Sequence, residues 1–475
     1  MKHATSLLVL LAASVSAARA SADDAFGAPR SDGGDQRRLG LGGAFAVDEA
    51  EPEAIELERF RLVPLLDLRL RAEYRHAPLG DDGSFRSPLS DHALLWERAR
   101  IGLAVERGLV TAAIVLQDVR GIGVPSPSDR ISPAQPELPL TEPHEAYVDL
   151  HSDDRSFSVR LGRQQIVLGD GRLVGRSDDL ASGRSFDALR VRLFEGDFEL
   201  GGFAALLAAP GDGDDVDEEV GPGAQLYALD ATWHAAPWLG LELTGLARFA
   251  REPATSIEPG DLYVAALRAF GEHRGLRYSL LGAFQAGRVA IEGDIADQLA
   301  GAFAARVEWQ TALPLDLRFG AQGAYATGGA DEGSSRASFD PLYADTHAHF
   351  GQHALYSWSN LVELGGDVGA RPFDELDLAL SYRYVGMADP DGPWRDGFGG
   401  RIAQATRNTS ASLGHLLGAE VSARPFDRFS IEASYSLLLL GDGAQTLYGA
   451  RYEPALPKAP DLAHFAMLGA RAVLP

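Results

Sequence analysis

The sequence predicts an all-β fold: a transmembrane antiparallel up-and-down β-barrel of about 18 strands. Three observations carry that prediction. Apolar and polar residues alternate with period two through segments of roughly 10–13 residues, longer than a typical soluble strand and right for a tilted membrane strand. The connections alternate between short turns and long polar loops. Beyond residue 20 no run of 18 apolar residues occurs, so no helix is expected to span a bilayer.

Taken in order, residues 1–20 read as an export leader. Lys2 and His3 precede an apolar stretch from Leu7 to Ala13, and Ala18-Arg19-Ala20 offers the small-x-small pattern for cleavage after Ala20. Residues 21–60 are rich in Asp, Glu, Gly and Ala without periodicity and are expected to form a flexible acidic lead-in. The barrel is expected to fill residues 61–475.

Its first strand shows Leu66, Leu68, Leu70, Ala72 and Tyr74 on one face and Asp67, Arg69, Arg71, Glu73 and Arg75 on the other. Ala99, Ile101, Leu103 and Val105 alternate in the same way with Arg98, Arg100 and Glu106. Further copies run through Leu189, Val191 and Leu193 against Arg190 and Arg192, through Phe303 to Gln310, Leu376 to Tyr384, and Phe429 to Leu437. Alternation alone fits any half-buried antiparallel sheet. The polar face here carries Arg, Asp and Glu, which a sandwich core would not bury unpaired and a water-filled lumen would solvate.

Eight short connections include Glu106-Arg107-Gly108, Ser152 to Ser156, Glu195-Gly196-Asp197 and two near-copies, Ala370-Arg371-Pro372-Phe373-Asp374 and Ala423-Arg424-Pro425-Phe426-Asp427. Longer polar stretches fall at 77–92, 120–142, 208–223, 328–356, 388–410 and 441–460. Short turns at one rim and long loops at the other are the outer-membrane pattern. Eight turns join sixteen strands, and the first and last bring the total to eighteen. Trp96, Trp233, Trp238, Trp309, Phe373, Phe426 and Tyr452 fall near the expected strand ends, where aromatic girdles sit.

Composition excludes several functions. With no Cys, disulfide frameworks, thiolate metal sites and cysteine nucleophiles are ruled out together. A net charge of −24 makes nucleic acid an unsuitable partner. Basic residues are almost all arginine, since Lys2 and Lys458 are the only lysines within a Lys+Arg total of 43. The alternation points Arg69, Arg71, Arg98, Arg100, Arg160, Arg190, Arg192, Arg248, Arg277, Arg306, Arg318 and Arg383 inward. Guanidinium forks match carboxylates, so such a lumen would attract an anionic solute. The competing reading has Glu97, Glu106, Glu145, Asp149 and Glu308 neutralise these arginines in structural ion pairs.

The acidic run Asp212 to Glu219 lacks the spacing of a calcium loop and reads as a solvated loop. His347, His349 and His353 lack an ordered carboxylate pattern, which weighs against a metal site, and no cofactor is expected. No Gly-x-Ser-x-Gly elbow, His-Glu-x-x-His pair or phosphate loop is present, so no enzyme is expected.

The run Arg160-Leu161-Gly162-Arg163-Gln164-Gln165-Ile166-Val167-Leu168-Gly169-Asp170-Gly171-Arg172-Leu173-Val174-Gly175, followed by Gly183-Arg184-Ser185-Phe186-Asp187-Ala188-Leu189-Arg190, resembles the signature of the alginate export family of outer-membrane proteins. Gln117 to Gly121, Glu145 to Leu150, Phe339 to Tyr343, His349-Phe350-Gly351 and Asn360-Leu361 resemble further family blocks in the same order. The resemblance implies an eighteen-stranded barrel with an arginine-lined constriction passing an anionic uronate polymer. By motif match it implies that Arg120, Arg163, Arg172, Arg184 and Arg190 line the lumen or constriction, beside Arg98, Arg100 and Arg160 from the alternation. Arg163 has the opposite parity to Arg160, and Asp170 and Asp187 are candidate partners that fix these arginines. The expected partners are an anionic saccharide or other small anion, outer-membrane lipid with lipopolysaccharide, and periplasmic export proteins. An anion-selective porin for small solutes and an outer-membrane hydrolase are the alternatives.

Overall fold

A computed structural model describes residues 54–57, 59–76, 92–122, 140–208, 223–250, 260–291, 294–329, 335–351, 354–397, 399, 401–403, 410–452 and 461–474. The expected leader (1–20), nearly all of the lead-in, the acidic run 212–219 and His353 lie outside these residues.

Eighteen long antiparallel strands close into one barrel. They are β1 Phe60–His76, β2 His92–Arg107, β3 Val110–Ile122, β4 Leu140–His151, β5 Phe157–Gln164 and β6 Phe186–Glu195. Then come β7 Phe198–Ala208, β8 Ala224–Ala236, β9 Leu239–Ala250, β10 Gly260–His273, β11 Leu276–Ile291 and β12 Asp294–Gln310. The circuit ends with β13 Arg318–Ala326, β14 Leu361–Phe373, β15 Leu376–Gly386, β16 Ser412–Phe426, β17 Phe429–Leu440 and β18 Leu462–Leu474. Each strand pairs with its neighbour in sequence, and β18 returns to β1 through Leu66↔Leu474 to His76↔His464. Two short helices, α1 Thr346–Phe350 and α2 Asp442–Tyr452, lie in connections. No helix among the described residues is long and apolar enough to cross a membrane. The last part of the expected lead-in is ordered, because Ile55–Leu57 pairs with the start of β1.

Period two puts successive side chains on opposite faces of a strand, and burial follows it. On β1, Leu68 and Leu70 are exposed while Asp67, Arg69, Arg71 and Glu73 are buried. Leu229, Leu243, Leu267, Leu299 and Leu380 lie on the same outer surface further round. This is a barrel with an apolar outside.

The expectation of a uniformly polar inner face fails on one side. From β11 to β13 many inner residues towards the loop end are small and apolar, among them Ala283, Ala300, Ala302, Ala304, Ala324 and Ala326, with Gln285 and Gln298 between them. The reason is packing: Ile166, Leu173, Phe339, Phe350, Tyr356 and Trp358, all from connections, share one buried cluster with these alanines. Alanine leaves room for loops folded into the loop end of the barrel, where large side chains would clash.

The repeated Ala-Arg-Pro-Phe-Asp segments are not themselves the turns. They finish β14 and β16 with register shifts at Ala370/Phe373 and Ala423/Phe426, and the reversals fall at Asp374-Glu375 and Asp427-Arg428. Proline has no N–H for the ladder and is tolerated where pairing slips. Of the expected girdle residues, Trp233, Trp238, Trp309, Phe373 and Phe426 are exposed at the turn end. Trp96 instead points inward, where the Arg69 and Arg71 guanidinium groups lie 5.7 and 5.6 Å from its ring centre. Tyr452 ends α2 rather than a strand.

Candidate functional site

The lumen wall formed by β1 and β2 carries Arg69 and Arg71 beside Arg98 and Arg100, all at least nine-tenths buried. Two strands with arginine at every second position, paired as Arg69↔Arg98, bring four guanidinium groups together. Burial of four like charges requires partners; Glu73 on β1 lies 2.8 Å from Arg71 and Glu432 on β17 lies 3.6 Å from Arg69, and a loop supplies the rest.

Residues 165–185, between β5 and β6, form the third loop, which turns inward and crosses to this wall. The carbonyl oxygen of Asp178 accepts from Arg69 Nη1 at 3.0 Å and Arg98 Nη1 at 2.9 Å. The Asp178 carboxylate accepts from Arg100 Nη1 at 2.6 Å and lies 3.3 Å from Arg98 Nη2. Asp179 gives its carboxylate to Arg69 at 3.2 Å and its carbonyl to Arg71 at 2.9 Å. Arg100 also reaches the Ser182 carbonyl at 3.0 Å and Gln117 Oε1 at 2.7 Å. Burial opposes the charge on Asp178, yet Arg100 and Arg98 hold its carboxyl well below the usual carboxylate range. Burial likewise opposes charge on Asp179, and Arg69 leads in keeping it ionised.

Gly183 allows the tight return of this loop. Its φ is +70°, and an added Cβ would meet Arg100 Nη2 at 2.9 Å. Nothing in the residue pattern marks 165–185 as a loop, because the signature run is apolar and glycine-rich rather than polar. Asp178 and Asp179, the residues that engage the arginine wall, were missed for that reason.

The other expected arginines divide into four situations. Arg160 is inward, with Nη2 2.7 Å from Asp149 and its guanidinium 4.1 Å from the Tyr147 ring centre. Arg172 and Arg184 lie in the third loop. Arg172 sits over the Trp358 ring at 5.3 Å and takes Asp170 Oδ1 on its backbone N–H at 3.1 Å. Arg184 donates to the carbonyls of Gly175 (3.1 Å), Ala344 (3.1 Å) and Tyr343, so it staples the third loop to the seventh, residues 327–360. Arg184→Ala is expected to speed proteolysis in both loops while the barrel stays heat-resistant, since hydrogen bonds to a charged group are worth about 1.5–3 kcal/mol.

Two assignments need correcting. Arg120 belongs to the outer face of β3 with Leu116 and Asp118, and Asp118 lies 2.7 Å from its Nη2. Its even-numbered position puts it outside the lumen, because the inward residues of β3 are Ala113, Val115 and Gln117. Arg163 shares the outward register of exposed Leu161 and lies 3.4 Å from both Asp187 and Glu142. Glu97 is also outward, paired in register with Arg120.

Arg190 is opposite Arg160 in the register, and Arg192 follows on the same inward face. Among the described residues, neither forms a hydrogen bond or an ion pair. Arg192 stacks over the Phe194 ring at 4.7 Å, and Asp230 and Asp149 act on Arg190 only through space. The row Glu106–Thr111–Asp149–Arg160–Arg190 runs through the ladders of β2 to β6, so this pair lies nearer the turn end than Arg100 does. Elsewhere in the lumen strand carboxylates neutralise arginines: Arg268–Glu242 at 2.7 Å, Arg306–Asp367 at 3.0 Å and Arg471–Asp67 at 2.9 Å. Glu106 serves Arg61 and Arg155, and Glu308 serves Arg277 and Arg306.

His349 Nε2 is 2.9 Å from the Asp170 carbonyl oxygen, and burial pushes the imidazole down to about 3. Burial brings His347 to about 4. Among the described residues no group of three or more potential ligands is placed to hold a metal ion.

A closed barrel with an apolar exterior, short turns at one end, and charged groups and infolded loops inside is an outer-membrane channel. The alginate export family model matches residues 65–453, and the chain belongs to that family. No curated protein matches it by sequence. Among solved structures, OccAB1 of Acinetobacter baumannii is similar at 10% identity and TM-score 0.56, covering 87% of this chain and 96% of that one. A BenF-like porin from Pseudomonas fluorescens is similar at 10% identity and TM-score 0.55, covering 87% and 98%. OccK2 (OpdF) of Pseudomonas aeruginosa, solved in complex with glucuronate, is similar at 9% identity and TM-score 0.54, covering 87% and 96%.

Proposed function

We propose that this channel passes an anionic polysaccharide, an alginate-like uronate polymer, along an arginine track on the β1–β6 side of its lumen. The observation that carries the reading is the inward pair Arg190 and Arg192, which no carboxylate contacts among the described residues. A lumen cation that no carboxylate contacts among the described residues is available to a solute, and the low-dielectric wall strengthens its field. Membership of the alginate export family supports a uronate cargo. That OccK2, a barrel of similar fold, was solved in complex with glucuronate supports a uronate cargo. Residues 1–20 serve as the export leader, the cargo is not chemically altered, and the outward charges of Arg120 and Arg163 face outer-membrane lipid and lipopolysaccharide.

The packing of the third and seventh loops into the loop end favours a second reading, an anion-selective porin for small solutes, because it fills space a polymer would need. Conductance of the refolded barrel in planar bilayers, in a salt gradient and with oligomannuronates of increasing length, separates the two. Polymer passage predicts anion selectivity and a block that tightens with oligomer length. Selectivity with length-independent block favours the small-solute porin, and neither effect removes the anion channel.

A further inference from the structure

We propose that Asp178 and Asp179 are a built-in stand-in for the cargo: the third loop occupies a uronate-binding site made by Arg69, Arg71, Arg98 and Arg100, and an anionic saccharide must displace it. This rests on the reading of the lumen as a uronate track and adds a site and a competitor to it.

The contrast with the rest of the lumen is the argument. Arg160, Arg268 and Arg471 pair with carboxylates on adjacent strands, which cannot leave without opening the barrel. The four arginines of β1 and β2 also have strand carboxylates near them, Glu73 at 2.8 Å from Arg71, Glu432 at 3.6 Å from Arg69 and Asp67 at 3.5 Å from Arg98, but each of the four donates in addition to a connection, which can move, and Arg100 takes its carboxylate from that connection. What the loop offers them also has a particular pattern. Two carboxylates on consecutive residues lie among neutral acceptors, the carbonyls of Asp178, Asp179 and Ser182. A uronate chain presents the same mixture, one carboxylate per sugar set among hydroxyl and ring oxygens. The guanidinium forks that hold the loop are therefore equipped to hold the cargo. Asp67 lies behind them, 3.5 Å from Arg98, and limits the site's net positive charge when the loop is away.

A tethered competitor at millimolar effective concentration reduces the apparent affinity for a free ligand by the fraction of time it occupies the site. The double variant Asp178→Asn/Asp179→Asn keeps the loop's shape and removes its charge. It is expected to tighten oligomannuronate block by roughly tenfold and to raise chloride conductance. The same change made in an Arg98→Ala/Arg100→Ala background is expected to have little effect, because the competitor's partners are gone. The chain has no cysteine, so Leu180→Cys gives a single thiol at a site 5% exposed in the closed arrangement. A charged, membrane-impermeant thiol reagent should label it faster when oligomannuronate is present.

Unchanged block in the double variant, or labelling of Leu180→Cys that oligomannuronate leaves unaltered while it blocks the pore, overturns the stand-in. Absence of any block in the unaltered protein overturns the uronate reading instead.

Discussion

Leu229→Arg is expected to leave almost no heat-resistant barrel after refolding. Leu229 lies mid-strand on β8 and is 74% exposed on the outer face. Its neighbours in register, Gly202 on β7 and Gly245 on β9, are too small to shield it. An arginine at the bilayer midplane costs about 2–4 kcal/mol, falling towards zero near the interfaces. The control is Ala228→Ser, one position along and inward, which should refold normally. Comparable yield for the two arms would mean that the faces of β8 are reversed. Band shift on unheated gels reads the outcome directly.

Arg190→Ala/Arg192→Ala is expected to lower the anion-to-cation permeability ratio by roughly tenfold while leaving the barrel intact, since focused charge in a cleft changes counter-ion concentration by about ten to a thousandfold. Assembly should be spared because, among the described residues, neither side chain has an ion-pair partner to orphan. Removing Arg98 is a different case. It would strip Asp178 and Asp67 of a shared partner, and breaking a buried pair costs about 3–5 kcal/mol. The reversal potential in a salt gradient checks the double variant, and an unchanged potential would show that the anion path runs elsewhere in the lumen.

Much of the architecture was legible in the residues, for a physical reason: a barrel wall imposes period two over its whole length. Arg69, Arg71, Arg98, Arg100, Arg160, Arg190 and Arg192 all fall on the inner face that alternation assigned them. Parity also held information that the family motif did not, because Arg120 and Arg163 lie on outward positions. What alternation cannot encode is a segment that leaves the wall. The third loop is absent from the polar stretches that mark loops in the sequence because it is apolar: it packs inside the barrel, against alanines whose small size is visible in the sequence only as composition. Asp178 and Asp179 were invisible for the same reason, since no local period links them to β1 and β2, about eighty or more positions away.

The seam between β1 and β18 has a consequence for how the molecule is made. Asp67 on β1 receives two hydrogen bonds from Arg471 on β18, across 404 positions of chain, and stands beside Arg98. Contacts so remote in sequence form late, since the whole intervening chain must be in place before they can close. Until then Asp67 lacks one of its two cationic partners and β1 is an open edge. The berth for the third loop is therefore finished only when the circle is, so a half-built wall would leave that loop nowhere to lodge, and its protection from protease becomes a clock for the final step of assembly.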